Sequence, residues 1–229
     1  MKLYVEGGGD SKTLKTACRA GFSEFLCKAG LKGKMPRIVA CGSRQSAYNL
    51  FCTAVNSGEE ALLLVDSEAS VLAECQQGEE PRDWHPWQHL KNRQGDQWDK
   101  PENADDADCH LMVQCMEAWF LADRTNLQDF FGPGFNEKAL PPEGNKVESI
   151  AKEQIYQVLS AATKNCKTKA KYGKGEHSFK LLSLVLPDSS SKRCSLGATG
   201  SLGSRTWGFR SACPPILCKP PFPVSPHSP

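Results

Sequence analysis

Carboxylates recur in this sequence directly after short apolar runs. Leu3 to Val5 ends in Glu6, three glycines follow (Gly7, Gly8, Gly9), and then Asp10. The run Ala61 to Val65 ends in Asp66 and Glu68, one residue apart, so both can project to one side of an extended segment. Glu117 comes after a further run, His110 to Val113. Hard oxygen donors of this kind suit Mg²⁺ or Mn²⁺. Two such ions roughly 4 Å apart can hold the attacking and leaving oxygens of a phosphodiester displacement. A Gly-rich turn between strand and helix suggests a phosphate cradle, and carboxylates tolerate phosphate there when a cation lies between them. The expected metal ligands are therefore Glu6, Asp66 and Glu68, with Asp10 and Glu117 helping a second ion. Glu6 is also a candidate catalytic acid or base. The competing reading is a row of solvated acids at helix N-termini, and it bears hardest on Asp10, which sits where an N-cap would.

Basic groups complete the chemistry. Lys174, flanked by glycines in YGKGEH, is the candidate for facing the scissile phosphate and stabilising charge on its oxygen, against the plainer role of a solvated loop lysine. His177 suits either a general acid or a hydrogen bond at a helix start. Arg44 and Gln45, near a helix N-terminus, can reach a phosphate backbone or lie on the surface. Ser67, between the two acids, has no base beside it and is not read as a nucleophile.

The elements that must position these groups alternate. Strands are expected at Leu3 to Val5, Arg37 to Cys41, Ala61 to Val65 and His110 to Val113. Between them, helices are expected from Asp10 or Ser11 to about Lys28, with Leu14, Cys18, Phe22, Phe25 and Leu26 on one face, and from Gly42 or Ser43, with Ala47, Leu50, Phe51 and Ala54 on one face. Helices at Met116 to Asp123 and over residues 147 to 163 follow, then a basic loop, Lys167 to Lys174, leading into apolar Phe179 to Val185. This order argues for an α/β fold with a mostly parallel sheet, right-handed crossovers and flanking helices. The acids then fall at the carboxyl ends of strands, where open α/β sheets place their ligand crevice. A polar insertion, roughly Gln76 to Asp108, holds Trp84, Trp87 and Trp98, read as a loop packed over the sheet edge rather than a base-stacking platform. Its Asp105, Asp106 and Asp108 read as a solvated turn.

VEGGGD and LLLVDSE, each after an apolar strand and separated by a helix, resemble the two signatures of the TOPRIM fold, found in topoisomerases, bacterial primases, recombination proteins and overcoming-lysogenization-defect nucleases. That fold has a Glu after its first strand and an Asp-x-Asp after a later one; Glu68 departs from it by a longer arm. Residues up to about Leu184, including HLMVQCMEAWFLAD and YGKGEHSFKLL, are similar to a bacterial family of small TOPRIM-like proteins of unassigned function, whose genes often lie beside ATPase genes. The resemblance implies a TOPRIM-like (Rossmannoid) domain over 1–186. It also implies Mg²⁺ or Mn²⁺ at the five acids, a nucleic-acid substrate, DNA or RNA, and nuclease activity, with an ATPase partner in a defence or repair system. The alternative is a non-catalytic TOPRIM-like module that binds nucleic acid and an ATPase, or acts as a sensor in phage defence. Topoisomerase and primase activities, which need companion domains, are not expected of 229 residues.

Composition narrows the setting. A net charge of +2 is too mild to demand a nucleic-acid surface, and a local patch remains compatible with it. Eleven cysteines include no C-x-x-C pair and no Cys/His quartet, so a zinc ribbon is not expected, and Cys18, Cys27, Cys41, Cys52 and Cys115 read as small core residues with free thiols. No signal peptide and no bilayer-length apolar run is found, which points to a cytoplasmic protein without membrane association. Eight of the fifteen prolines lie after Leu186, so residues 187–229 read as a Pro/Ser-rich tail, disordered or aberrant.

Overall fold

The computed structural model describes residues 1–75, 85–143 and 145–187. The expected tail, from 187 onward, falls outside them apart from its first residue, as does Trp84. Four strands, β1 (Lys2–Val5), β2 (Arg37–Ala40), β3 (Ala61–Asp66) and β4 (Cys109–Met112), form one all-parallel sheet in the order β2-β1-β3-β4. Among the described residues seven α-helices flank it: α1 (Lys12–Leu26), α2 (Arg44–Asn56), α3 (Pro86–Asn92), α4 (Ala118–Ala122), α5 (Arg124–Phe131), α6 (Lys152–Thr163) and α7 (Lys174–Leu184). No described helix is long and apolar enough to cross a membrane.

Alternation along the strands assigns the two faces. Leu3, Val5, Leu62 and Leu64 enter a core with α1 and α4 to α7. Tyr4, Leu63 and Val65 enter a second core, built with Ala47, Phe51 and Ala54 of α2 and with Trp87, Leu90 and Trp98. Both faces of β3 are buried, which is why its sequence is continuously apolar. Ser11 caps α1 by accepting from Leu14 N, and Ser43 caps α2 by accepting from Ser46 N, so the hydroxyl and not Asp10 opens the first helix.

Four local expectations change. Leu50 is exposed, because the core-facing arc of α2 runs through Ala47, Phe51, Ala54 and Val55. The helix expected over 147–163 starts at Lys152; Val147–Ser149 is a separate short turn, after which buried Ile150 precedes the helix. The helix expected from Met116 begins at Ala118, since Cys115 to Glu117 form the turn leaving β4, and α5 follows it directly with Asp123 as its cap. The insertion contains α3, which seats Trp87 against Phe51. Trp98 stacks on Tyr48, ring centroids 4.6 Å apart, so both tryptophans are core residues. Asp105 and Asp108 cap a short turn reciprocally, and Asp106 pairs with Lys100.

Helix α1 lies closely on α7. A Cβ at Gly21 would meet the Phe179 carbonyl oxygen at 2.6 Å, and Lys28 Nζ donates to the last-turn carbonyls of Ser183 and Leu184. Alanine at position 21 would gain about 1 kcal/mol of helix propensity but would force the two helices apart, at about 1–3 kcal/mol. Gly21→Ala is therefore expected to lose up to about 2 kcal/mol in urea denaturation; a variant more stable than the parent would show that α7 does not pack this closely.

Candidate metal centre

Register brings the acids together. Val5 pairs with Leu64, so Glu6 leaves β1 beside Val65, and Asp66 closes the longer β3 one residue further on. Glu6 N donates to Leu64 O, and Glu6 Oε2 accepts from Asp66 N at 3.1 Å. Glu6, Asp66 and Glu68 each offer a carboxylate oxygen, all within 4.8 Å of one another; among the described residues no other three His, Cys, Asp or Glu side chains gather so. Opposite ligands of an octahedral Mg²⁺ lie about 4.2 Å apart. Three hard oxygens at this spacing fit Mg²⁺ or Mn²⁺ with small adjustment.

Two cations already lie among these acids. Arg44 Nη1 donates to Glu6 Oε2 at 3.0 Å and to the Asp66 carbonyl, and lies 3.9 Å from Glu68 Oε1. Its other edge grips Asp96 through Nε (3.2 Å) and Nη2 (2.6 Å), and its guanidinium lies 5.1 Å from the Trp98 ring centroid. Lys152, in the first turn of α6, places Nζ 3.1 Å from Asp66 Oδ2 and 2.5 Å from Glu68 Oε1. Burial opposes the Lys152 charge, but Asp66 and Glu68 outweigh it and hold the ammonium above its ordinary range. Burial also raises the Glu6 carboxyl, against the pull of Arg44. Asp66 is raised to about 7 by burial and by the charges of Glu6 and Glu117, against Lys152 and Lys174. Of the two roles open to Arg44 from sequence, a phosphate contact or a surface position, neither includes this pairing with the acids, and neither Lys152 nor Asp96 is among the sequence candidates.

The remaining candidates lie apart from the cluster. Asp10 is exposed and outside it. Glu117 is fully buried, with Oε1 accepting from Tyr172 and Ser178 hydroxyls (3.2 and 3.1 Å) and Oε2 from Tyr156 (3.1 Å). Burial and the Glu117 charge push both phenols up, so each stays a donor. Glu117 acts on the cluster from behind, through its charge on Asp66 and through its neighbour Met116, whose N–H donates to Asp66 Oδ1 at 2.9 Å. Lys174 is exposed at the start of α7, its ammonium 5.4 Å from the Tyr156 ring centroid, and its charge reaches Asp66. His177 Nδ1 accepts from Gly173 N at 3.0 Å, and burial lowers its pKa, which is the helix-start role. Gln45 is exposed and accepts from Trp98 Nε1.

Backbone shape around the cluster is specialised. Gly7 to Gly9 all have positive φ, and a Cβ at Gly8 would lie 2.8 Å from Lys15 Cα. The glycines serve a tight return of the chain onto α1 rather than an open cradle. Glu68 and Gln114 adopt φ of 63° and 61°, and Glu68 N donates to Gln114 O, so two non-glycine residues stand side by side in the left-handed region at the site.

An all-parallel α/β domain with carboxylates gathered at the carboxyl edge of its sheet is the class that fold and site define. The chain belongs to the family described as Domain of unknown function (DUF4276), whose model matches residues 5–196. Comparison with curated proteins and with solved structures gives no match.

A carboxyl whose folded-state pKa lies above its ordinary value of 3.8 binds its proton more tightly when folded. Its stabilising contribution is complete below 3.8 and is lost as pH rises through about 7. Asp66→Asn cannot titrate. In EDTA its unfolding free energy should fall less than the parent's between about pH 5 and about pH 8. An equally steep decline in both proteins would mean that Asp66 is not held in its proton-binding state.

Proposed function

We propose that the protein carries out metal-dependent phosphodiester chemistry on nucleic acid, as a nuclease of the TOPRIM type related to the overcoming-lysogenization-defect enzymes. The observation that carries this reading is the convergence of Glu6, Asp66 and Glu68 at the carboxyl edge of a parallel sheet. In this reading those three residues hold Mg²⁺ or Mn²⁺, which when bound supplies positive charge to a phosphoryl oxygen. The Glu117 charge favours a cation at Asp66 over a bare carboxylate there. Asp10, exposed at the end of the glycine turn, is free to approach a second ion from solvent. The fixed guanidinium of Arg44 gives phosphate a donor beside the acids, and Lys174, exposed and within electrostatic reach of Asp66, gives it a second. An ATPase partner and a role in defence or repair belong to the same reading and rest on the resemblance alone.

One observation favours a second reading. Arg44 and Lys152 already neutralise the acids, as a non-catalytic nucleic-acid- and ATPase-binding or sensor module would need in order to fold without metal. The two readings part in one assay. Plasmid, single-stranded DNA and RNA are incubated with the protein in Mg²⁺ or Mn²⁺, alongside Glu6→Gln, Asp66→Asn and, as control, Asp105→Asn. The nuclease reading expects metal-dependent cleavage by the parent and the control, and a loss of about two orders of magnitude or more in the two site variants. Cleavage that survives Asp66→Asn, or that EDTA leaves untouched, sinks it.

A further inference from the structure

Lys152 and Arg44 hold the one acid cluster in different ways, Arg44 through Glu6 and the Asp66 carbonyl and Lys152 through the Asp66 and Glu68 carboxylates. Arg44 is fixed from outside the cluster by Asp96 and by the Trp98 ring. Asp96 is itself locked, its side chain 2% exposed and paired also with Arg93 at 2.9 Å. Lys152 has no such anchor: among the described residues its ammonium donates to Asp66 and Glu68 alone. It reaches them from α6 on a flexible four-carbon stem, as a point charge with no planar fork to set its direction. Asp66 Oδ1 is taken by Met116 N, and Oδ2 is the oxygen that Lys152 holds.

We propose, resting on the metal reading above, that Lys152 is a tethered counter-ion that a divalent cation must displace, so that the site exchanges its own ammonium for a metal ion. Asp66 and Glu68 are the ligands that Lys152 occupies, and a divalent ion binding the same oxygens at about 2.1 Å meets the ammonium as a like charge at close range. Arg44 is held more firmly, because leaving would cost Asp96 two hydrogen bonds, with Arg93 alone left on it, and break the guanidinium's packing on Trp98. Lys152 can, because its side chain is still 13% exposed and loses only the two carboxylates that the metal takes over. The exchange has two consequences. Without metal the cluster stays compensated and the fold keeps its sheet edge. With metal, affinity is reduced by whatever the ammonium contributed, so Lys152 sets how much divalent ion the site needs.

The test is Mn²⁺ binding by titration calorimetry on the full chain, for the parent, Lys152→Met, Lys152→Arg and Asp66→Asn. Lys152→Met, with the stem kept and the charge removed, should bind Mn²⁺ roughly tenfold tighter or more, whereas Lys152→Arg should bind no tighter than the parent. In EDTA, Lys152→Met should melt below the parent, and saturating Mn²⁺ should bring its midpoint back to the parent's or above. If it does not fold without metal, refolding in Mn²⁺ should rescue it; a chain unfolded in both conditions overturns the proposal. Acetic anhydride labelling supplies a direct reading of displacement, since an ammonium held by two carboxylates reacts slowly. Modification of Lys152 in the parent should rise several-fold on addition of Mn²⁺, and an unchanged rate overturns the exchange. Mn²⁺ binding that Asp66→Asn abolishes but Lys152→Met leaves at parent affinity sinks the displacement while leaving the metal reading standing. No binding by any of the four, or binding indifferent to Asp66→Asn, sinks the metal reading itself and this proposal with it.

Discussion

Three carboxylates cannot share a half-buried sheet edge without positive charge among them, and much of the surrounding architecture meets that demand. The parallel register of β1 and β3 sets the condition by ending two adjacent strands in acids, and the left-handed turn at Glu68 directs the third back toward them. Charges removed from water are tolerated when they are paired and hydrogen-bonded. The pairing comes from two helices on different faces of the sheet, α2 through Arg44 and α6 through Lys152. The site thereby ties the two cores together at their common edge.

The insertion has a purpose that its polar composition hides. Its Trp87 and Trp98 fill the second core, but Asp96 and Arg93 between them build a clamp for Arg44. Tyr48 stacks on Trp98 and donates to Asp99 O, while Gln45 accepts from the indole N–H of Trp98, so one turn of α2 is stapled to the insertion by stacking and hydrogen bonds. A guanidinium shared between Asp96 and Glu6 is then fixed in direction. That is what distinguishes it from an arginine adrift on a surface, where side-chain entropy would cancel most of the attraction.

What the sequence made legible was local. Apolar runs ending in acids gave the strands and the cluster, because strand ends and sheet register follow from short-range pattern. The starts of α1 and α2 were visible to within a residue, and the tryptophans' packing against the sheet was visible in residue type. Lys152 was not, since nothing within its own segment separates it from an ordinary first-turn lysine; its partners are 84 and 86 positions away and meet it only through tertiary packing. Asp96 was hidden in the same way, 52 residues from Arg44. The break between Ile150 and α6 was missed because Ile150 and Ile155 share a core, which an apolar count reads as one helix.

Glu117 shows the same charge problem solved by the opposite means. Its burial would be hard to sustain for a bare carboxylate, yet no cation touches it among the described residues; three hydroxyls do, from Tyr156, Tyr172 and Ser178. Hydroxyl donors stabilise the anion without cancelling its charge, so its field persists and reaches Asp66. A compensated cluster in front and an uncancelled carboxylate behind make the edge more negative than its ion pairs alone would leave it. An ammonium on a flexible stem relieves part of that excess, and a divalent cation would relieve more. The Tyr156–Tyr172–Ser178 cage therefore belongs to the electrostatics of the site as Arg44 and Lys152 do, although its hydrogen bonds go to Glu117 and not to the clustered acids.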